Sequence, residues 1–172
     1  TLREALEVSR DRIIVNVDKG YQYFDLLQKL AREMGVEKQI LLKGKSQIND
    51  VDQRFSQSGS AMMYMPIIDI LKPAGKELFD SYKTTKTVPL AYEVCWDKMT
   101  PEVTDCFDYI VASGSKLWVN TLWDSLNGGL TDDKAFETSP DDIYGQLLKR
   151  GAPMLQTDRP ELLLDYLRKN GR

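Results

Sequence analysis

The strongest constraint on the fold is a repeated alternation of short apolar runs with segments of helical periodicity. The apolar runs are rich in β-branched residues, which is typical of buried strands. They lie at 13–17, 39–42, 61–65, 88–95, 116–122 and 153–156. The helical segments that follow them lie at 21–34, 49–57, 76–82, 101–107, 141–149 and 160–169. Repeated strand–helix units with continuously apolar strands predict a parallel sheet covered by helices.

The length of 172 residues predicts one domain, spanning 1–172. A complete (β/α)8 barrel needs about 200 residues at minimum and about 250 typically, so about six units fall two short of it. An open, doubly wound sheet fits the length better on the residues alone. However, the glycine-rich turn of dinucleotide-binding folds and the Walker A motif are both absent. Pro66 is expected to end the third strand, and 124–139 reads as a long irregular loop.

The chain contains no histidine, and this excludes several kinds of catalytic site. A Ser-His-Asp triad, a Cys-His pair and a histidine-ligated metal centre cannot be built from it. The 23 Lys and Arg residues against 26 Asp and Glu residues give a net charge of −3. This mild acidity argues against general nucleic-acid binding, which usually needs a basic face.

The two cysteines and the hydropathy pattern indicate an ordinary soluble protein. Cys95 and Cys106 do not have metal-ligand spacing, so we interpret them as buried or idle thiols. No apolar run approaches the length of about 18 residues that spans a membrane, and no signal peptide is visible. Because the chain begins at Thr1, a targeting segment would be missing together with the N-terminus, and the compartment is left open.

The polar residues at the strand ends are the candidates for a functional site, because ligands of parallel α/β folds bind beyond the carboxyl ends of the strands. Asp18 and Glu93 are suited to a hard cation, and Lys43 is suited to a phosphate group. The full set of polar strand-end residues is Asn16, Asp18, Lys19, Lys43, Lys45, Asp69, Glu93, Asn120, Thr157, Asp158 and Arg159.

Each candidate also has a purely structural interpretation. Asp158 precedes a helix start and is expected to act as its N-cap. Lys43 is equally well explained as a solvated strand end, and Glu93 as the partner of a neighbouring cation. Trp118 and Trp123 flank Asn120 and would bury a large area whatever else they do, and core packing is the expected role of at least one of them.

Three segments resemble glycerophosphodiester phosphodiesterases. The segment TLREAL at 1–6 leads into RIIVNVDK at 12–19, and this is similar to a helix and strand in the middle of that family. The segment LQTDRPELL at 155–163 resembles the closing "TDRP" strand and helix. The segment KLWVNT at 116–121 looks like the penultimate strand, which bears a tryptophan and an asparagine. The resemblance is spread over nearly the whole chain.

The resemblance implies a TIM-barrel fold and the cleavage of glycerophosphodiesters to glycerol 3-phosphate and an alcohol, usually with a divalent cation such as Ca²⁺ or Mg²⁺. Asp18 stands where the family usually has its third metal-binding acid, a glutamate, and is therefore a departure from the family pattern. Lys43 is the candidate phosphate contact, and the substrate-side aromatic corresponds to Trp118 or Trp123. We accordingly expect the substrate-binding residues to be Lys43, Glu93, Trp118, Asn120 and Trp123.

The segments of the family that carry its two catalytic histidines and its other two metal-binding acids have no counterpart here. We therefore expect a C-terminal part of such a barrel, strands three to eight, which is inactive and binds no cation by itself. The open sheet is expected to pair with a second copy or with the missing N-terminal segment. Two alternatives are a non-enzymatic, degenerate barrel module that binds a partner or a small anion, and an unrelated open α/β fold.

Overall fold

The computed structural model describes residues 1–85 and 88–172. The strands, in chain order, are β1 Val15–Val17, β2 Ile40–Gly44, β3 Met63–Asp69, β4 Ala91–Cys95, β5 Lys116–Asn120 and β6 Met154–Gln156. The α-helices are α1 Leu2–Ser9, α2 Phe24–Met34, α3 Ile48–Ser58, α4 Pro73–Lys83, α5 Pro101–Ala112, α6 Asp124–Asn127, α7 Asp132–Glu137, α8 Gln146–Lys149 and α9 Pro160–Lys169. Helical segments therefore follow every strand.

The six strands follow chain order across the sheet, from β1 to β6. The pairs β1–β2, β2–β3, β4–β5 and β5–β6 are all parallel. Chain order is the arrangement of a (β/α)8 barrel, whereas a doubly wound sheet reverses its strand order part-way. The fold is α/β, a partial TIM-type barrel with six parallel strand–helix units, as the resemblance implied. The doubly wound alternative is wrong.

The chain divides into two compact units, which are described separately. Unit 1 comprises 1–67 and 81–90, and unit 2 comprises 68–80 and 91–172. In unit 1, helix α2 buries Phe24, Leu27 and Ala31 and is capped at its carboxyl end by Gly35, whose φ of 69° favours glycine. The Phe24 ring makes an edge contact with Phe55 of α3 at a centroid distance of 5.1 Å. Aromatic packing of this kind fixes α2 against its neighbour in the chain.

In unit 2, the strands have one face toward the helices that follow them. The Tyr92 ring of β4 packs edge-on against Phe79, and Trp96 packs in the same way against Phe107 of α5. A second cluster around Tyr144 contains Ala135, Ile143 and Leu163. The apolar residues of α5, α7 and α9 thus cover this part of the sheet.

Two local predictions are wrong. β3 runs through Pro66 to Asp69, instead of ending at the proline. The pairing of Pro66 with Gly44 is the last one between β3 and β2, so the proline, which lacks an N–H donor, lies where that ladder ends. The stretch 124–139 contains the short helices α6 and α7, so it is not the irregular loop that was predicted. Thr131 caps α7 with its side chain.

None of the helices in the described part of the chain is both long and apolar enough to cross a membrane.

Candidate functional site

A tight turn after β1 presents Asp18 at the carboxyl end of the strand. The next residue, Lys19, adopts the left-handed conformation with φ of 55°. Gly20 follows, and an added Cβ there would lie 2.9 Å from Val17 Cγ1 and 3.0 Å from Leu42 Cδ2. Because the turn is packed directly against β1 and β2, the Asp18 carboxylate is held at the strand edge although it is exposed to solvent.

Lys43 lies beside Asp18. It belongs to β2, is only 7% exposed, and its Nζ lies 3.5 Å from Asp18 Oδ1. The neighbouring residue on β3 in register with it is Met65, which is fully buried. The interpretation of Lys43 as a solvated strand end is therefore wrong. A buried ammonium group with its charge partner at the surface can exchange that partner for a ligand anion.

In unit 2, one face of the sheet carries Glu93, Trp118 and Asn120. Glu93 of β4 is 5% exposed and lies in register with Trp118 of β5, and Asn120 is two residues further along the same face. The Asn120 side chain accepts a hydrogen bond from the Leu122 N–H at 3.0 Å. The Trp118 indole N–H is buried and has no hydrogen-bond acceptor among the described residues.

Trp123 does not belong to this face. It precedes α6, its side chain makes no capping hydrogen bond, and it is 61% exposed. Trp118 is partly buried and Trp123 is mostly exposed, so core packing is not the role of Trp123.

A cavity of about 210 Å³ lies at the carboxyl end of β4 in unit 2. It is lined by acidic, basic and apolar side chains, among them Asp69, Lys72, Cys95, Trp96 and Asp97. Both cysteines are buried, as expected, and neither forms a disulfide bond.

Asp132 is the polar residue at the centre of unit 2 that the sequence did not indicate. It is 3% exposed, and its Oδ1 lies 2.6 Å from Thr121 Oγ1 and accepts hydrogen bonds from Tyr144 at 2.8 Å and Thr157 at 2.9 Å. Its Oδ2 accepts the backbone N–H of Asp158 at 2.7 Å. Burial raises the pKa of Tyr144, and its hydrogen bond to Asp132 raises it further.

This network explains the conformation of the "TDRP" segment. The backbone of Asp158 is held by Asp132, and the N-cap of α9 is Arg159, without a side-chain capping bond. The prediction that Asp158 caps α9 is therefore wrong. Thr157 instead accepts the Arg159 N–H at 2.9 Å, so its hydroxyl links the helix start to Asp132.

Across 1–85 and 88–172, no three His, Cys, Asp or Glu side chains are grouped so that they could hold a metal ion. Asp18 offers one carboxylate, which lies against the Lys43 ammonium. Ca²⁺ and Mg²⁺ take about six or more oxygen ligands. Asp18 therefore supplies one of the several oxygen ligands that such a cation takes.

Comparison with known proteins places the chain in a family. No curated protein matches the sequence. The family model DUF4996, described as a domain of unknown function, matches residues 64–167, which is more than half of the chain. The chain therefore belongs to the DUF4996 family.

Proposed function

We propose that this chain supplies the phosphate-binding side of a phosphodiester hydrolase site similar to that of glycerophosphodiester phosphodiesterases, and that it has no hydrolytic activity by itself. The single observation that carries the proposal is the pairing of buried Lys43 with exposed Asp18 at the carboxyl ends of β1 and β2. The ligand would be the phosphate group of a glycerophosphodiester or of glycerol 3-phosphate.

The location of this pair supports a binding role. Ligands of parallel barrel folds bind at the carboxyl ends of the strands, and both residues lie there in unit 1. Lys43 is buried, and Met65, the residue in register with it on β3, is fully buried as well. In such surroundings the attraction between an ammonium group and a phosphate is stronger than it is in water.

Unit 2, considered by itself, carries polar and aromatic groups of the kind that orient a small ligand. Glu93, Trp118 and Asn120 share one face of the sheet, and the indole N–H of Trp118 is available for a ligand acceptor. We propose that these three residues contact the substrate. Trp123, which is exposed after β5, is proposed as a further aromatic contact.

The inactivity of the isolated chain follows from its composition. Phosphodiester cleavage requires a general acid for the leaving oxygen and a base or a metal-bound oxygen for the attacking one. The chain has no histidine, and the pair at β1 and β2 provides one carboxylate and one ammonium. The acid, the base and further metal ligands would come from a polypeptide segment that carries them.

Binding of glycerol 3-phosphate, measured by calorimetry without divalent cations, tests the proposal directly. Replacement of the buried ammonium in Lys43→Met should abolish binding. Lys45→Met is the matched control, because Lys45 is two residues further along the chain and exposed, and it should change the affinity by less than about threefold. Equal losses in both variants, or no binding by the wild-type chain, would contradict the proposal.

An activity measurement distinguishes the hydrolase from a non-enzymatic anion-binding module. The pure chain should not hydrolyse glycerophosphocholine with Ca²⁺ or Mg²⁺. Metal-dependent turnover by the pure chain would overturn the proposed inactivity. If the chain binds glycerol 3-phosphate but also shows no turnover when combined with a segment that supplies the acid, the base and the metal ligands, the binding module is the correct function.

A further inference from the structure

We propose that Asn16 of β1 is a specificity-determining residue of the site formed by Asp18 and Lys43, and that its side-chain carbonyl accepts a hydrogen bond from a ligand hydroxyl group next to the phosphate. This role rests on the proposed function, since it extends the same site, and it involves unit 1 alone. It makes the preferred ligand the phosphate ester of a polyol, in preference to an alkyl phosphate without hydroxyl groups.

Asn16 lies on the same face of the β1–β2 ladder as the two charged residues. It is in register with Leu41 of β2, and Lys43 follows Leu41 by two residues, so Asn16 and Lys43 share a face. Asp18 follows Asn16 by two residues, and the 3.5 Å distance between its Oδ1 and Lys43 Nζ places its carboxylate on this face as well. The face therefore carries an amide, a carboxylate and an ammonium group side by side.

The side-chain carbonyl oxygen of Asn16 is shielded from solvent, and no donor in 1–85 or 88–172 bonds to it. A buried acceptor without a donor loses its hydrogen bonds to water and gains none in return, so it destabilises a fold. Such atoms are rare in folded proteins. The residue as a whole is only half-buried, since β1 lies at the edge of the sheet, so its amide is close to the surface. This combination indicates a donor that arrives with a ligand.

The chemistry of that donor follows from the atom it must satisfy. A carbonyl oxygen accepts hydrogen bonds only, and an ionised phosphate offers acceptors only, so the phosphate binds the Lys43 ammonium and cannot satisfy Asn16. A hydroxyl group of the ligand can donate to Asn16 Oδ1. Glycerol 3-phosphate has a hydroxyl group on the carbon next to the one that bears the phosphate.

The spacing of the two side chains suits such a ligand. Asn16 and Lys43 are diagonal neighbours on paired strands, which places their Cα atoms about 8 Å apart. A hydroxyl group and a phosphate on adjacent carbons can span the gap between the two side chains, with a hydrogen bond at each end.

Calorimetry with two phosphate esters tests this role. Propyl phosphate has the phosphate and the three-carbon chain of glycerol 3-phosphate but no hydroxyl group. The wild-type chain should bind glycerol 3-phosphate at least about fivefold more tightly than propyl phosphate. Asn16→Leu removes the acceptor at similar side-chain size, so this preference should disappear, whereas the affinity for propyl phosphate should change less than about twofold. The matched control is Asn49→Leu, at an exposed position on α3, and it should keep the wild-type preference.

The outcomes separate the role of Asn16 from the proposed function. Equal binding of the two esters by the wild-type chain overturns the role of Asn16 and leaves the phosphate site intact. A preference that persists in Asn16→Leu overturns it as well, because the hydroxyl group would then donate to another acceptor, such as Asp18. If the wild-type chain binds neither ester, the proposed function fails and the role of Asn16 fails with it.

Urea unfolding distinguishes a binding role from a structural one. Because Asn16 Oδ1 has no donor within the described ranges, Asn16→Leu should unfold at the same urea concentration as the wild type or at a higher one. A lower midpoint would show that the amide stabilises the fold, and it would overturn the assignment.

Discussion

The hydroxyl group of Tyr144 donates a hydrogen bond of 2.8 Å to Oδ1 of Asp132, and both residues are buried. The same carboxylate accepts bonds from Thr157 and from the Asp158 backbone. One buried charge thus connects the start of α7, the helical segment at 141–145 and the loop after β6. Buried charges are stable in a protein only when hydrogen bonds replace the water they lose.

The substitution Asp132→Asn should destabilise the protein by about 3 kcal/mol. Asparagine has one acceptor oxygen, so its NH2 group would face either the Asp158 N–H or the side-chain donors at Oδ1. Urea unfolding measures the effect. Asp133→Asn is the control, since Asp133 is 73% exposed in its ion pair with Arg159 and should cost less than about 1 kcal/mol. Similar losses of unfolding free energy in the two variants would show that the hydrogen bonds of Asp132 do not stabilise the fold.

The stability of the protein should fall above about pH 10, and Tyr144→Phe should reduce the steepness of this fall. Burial raises the pKa of Tyr144 above that of an unfolded tyrosine, so the folded state retains the proton more tightly. The resulting stabilisation is complete below the unfolded pKa and is lost as the pH rises above it. Burial also raises the pKa of Tyr92, so the variant keeps part of the dependence. Parallel curves of unfolding free energy against pH for the two proteins would contradict this.

The strand–helix alternation was predictable from the sequence because it depends on local patterns. Apolar runs and turn residues placed the strands to within a few residues, and α5 and α9 begin at Pro101 and Pro160, the first residues of their predicted helical segments. β3 was the exception, since a proline at the end of a ladder does not interrupt the strand. A rule based on the sequence alone ends the strand at Pro66, because the sequence does not show that the pairing of β3 with β2 ends at this residue.

The candidate site was only partly predictable. The turn at Asp18 and the strand-end position of Lys43 are local features, and the structure places the two side chains together. The role of Asp132 depends on Thr121, Tyr144 and Thr157, which are remote in the chain, so no local pattern identifies it. The only sequence signal was indirect: Thr157 belongs to the "TDRP" segment that Asp132 holds in place.

The substitution Gly75→Ala should destabilise the protein by at least about 2 kcal/mol, although helix propensity alone predicts a gain of about 1 kcal/mol. Gly75 lies in the first turn of α4, and an added Cβ would come within 2.0 Å of the Asp69 carbonyl oxygen. That oxygen belongs to the backbone at the end of β3 and cannot move without disturbing the strand. Thermal unfolding decides between the expected destabilisation and the stabilisation that helix propensity predicts. A melting temperature above that of the wild type would contradict the close approach of β3 and α4.

The carboxylate of Asp18 should weaken anion binding in the absence of a divalent cation, because it competes with the ligand for the Lys43 ammonium, 3.5 Å away. Asp18→Asn should therefore bind glycerol 3-phosphate about threefold to tenfold more tightly in calorimetry, an effect that high salt should reduce. Asp25→Asn is the matched control, since Asp25 is 83% exposed and pairs with Arg54 of α3. It should leave the affinity unchanged. Weaker binding by Asp18→Asn would show that Asp18 contributes to the binding site and does not compete with its ligand.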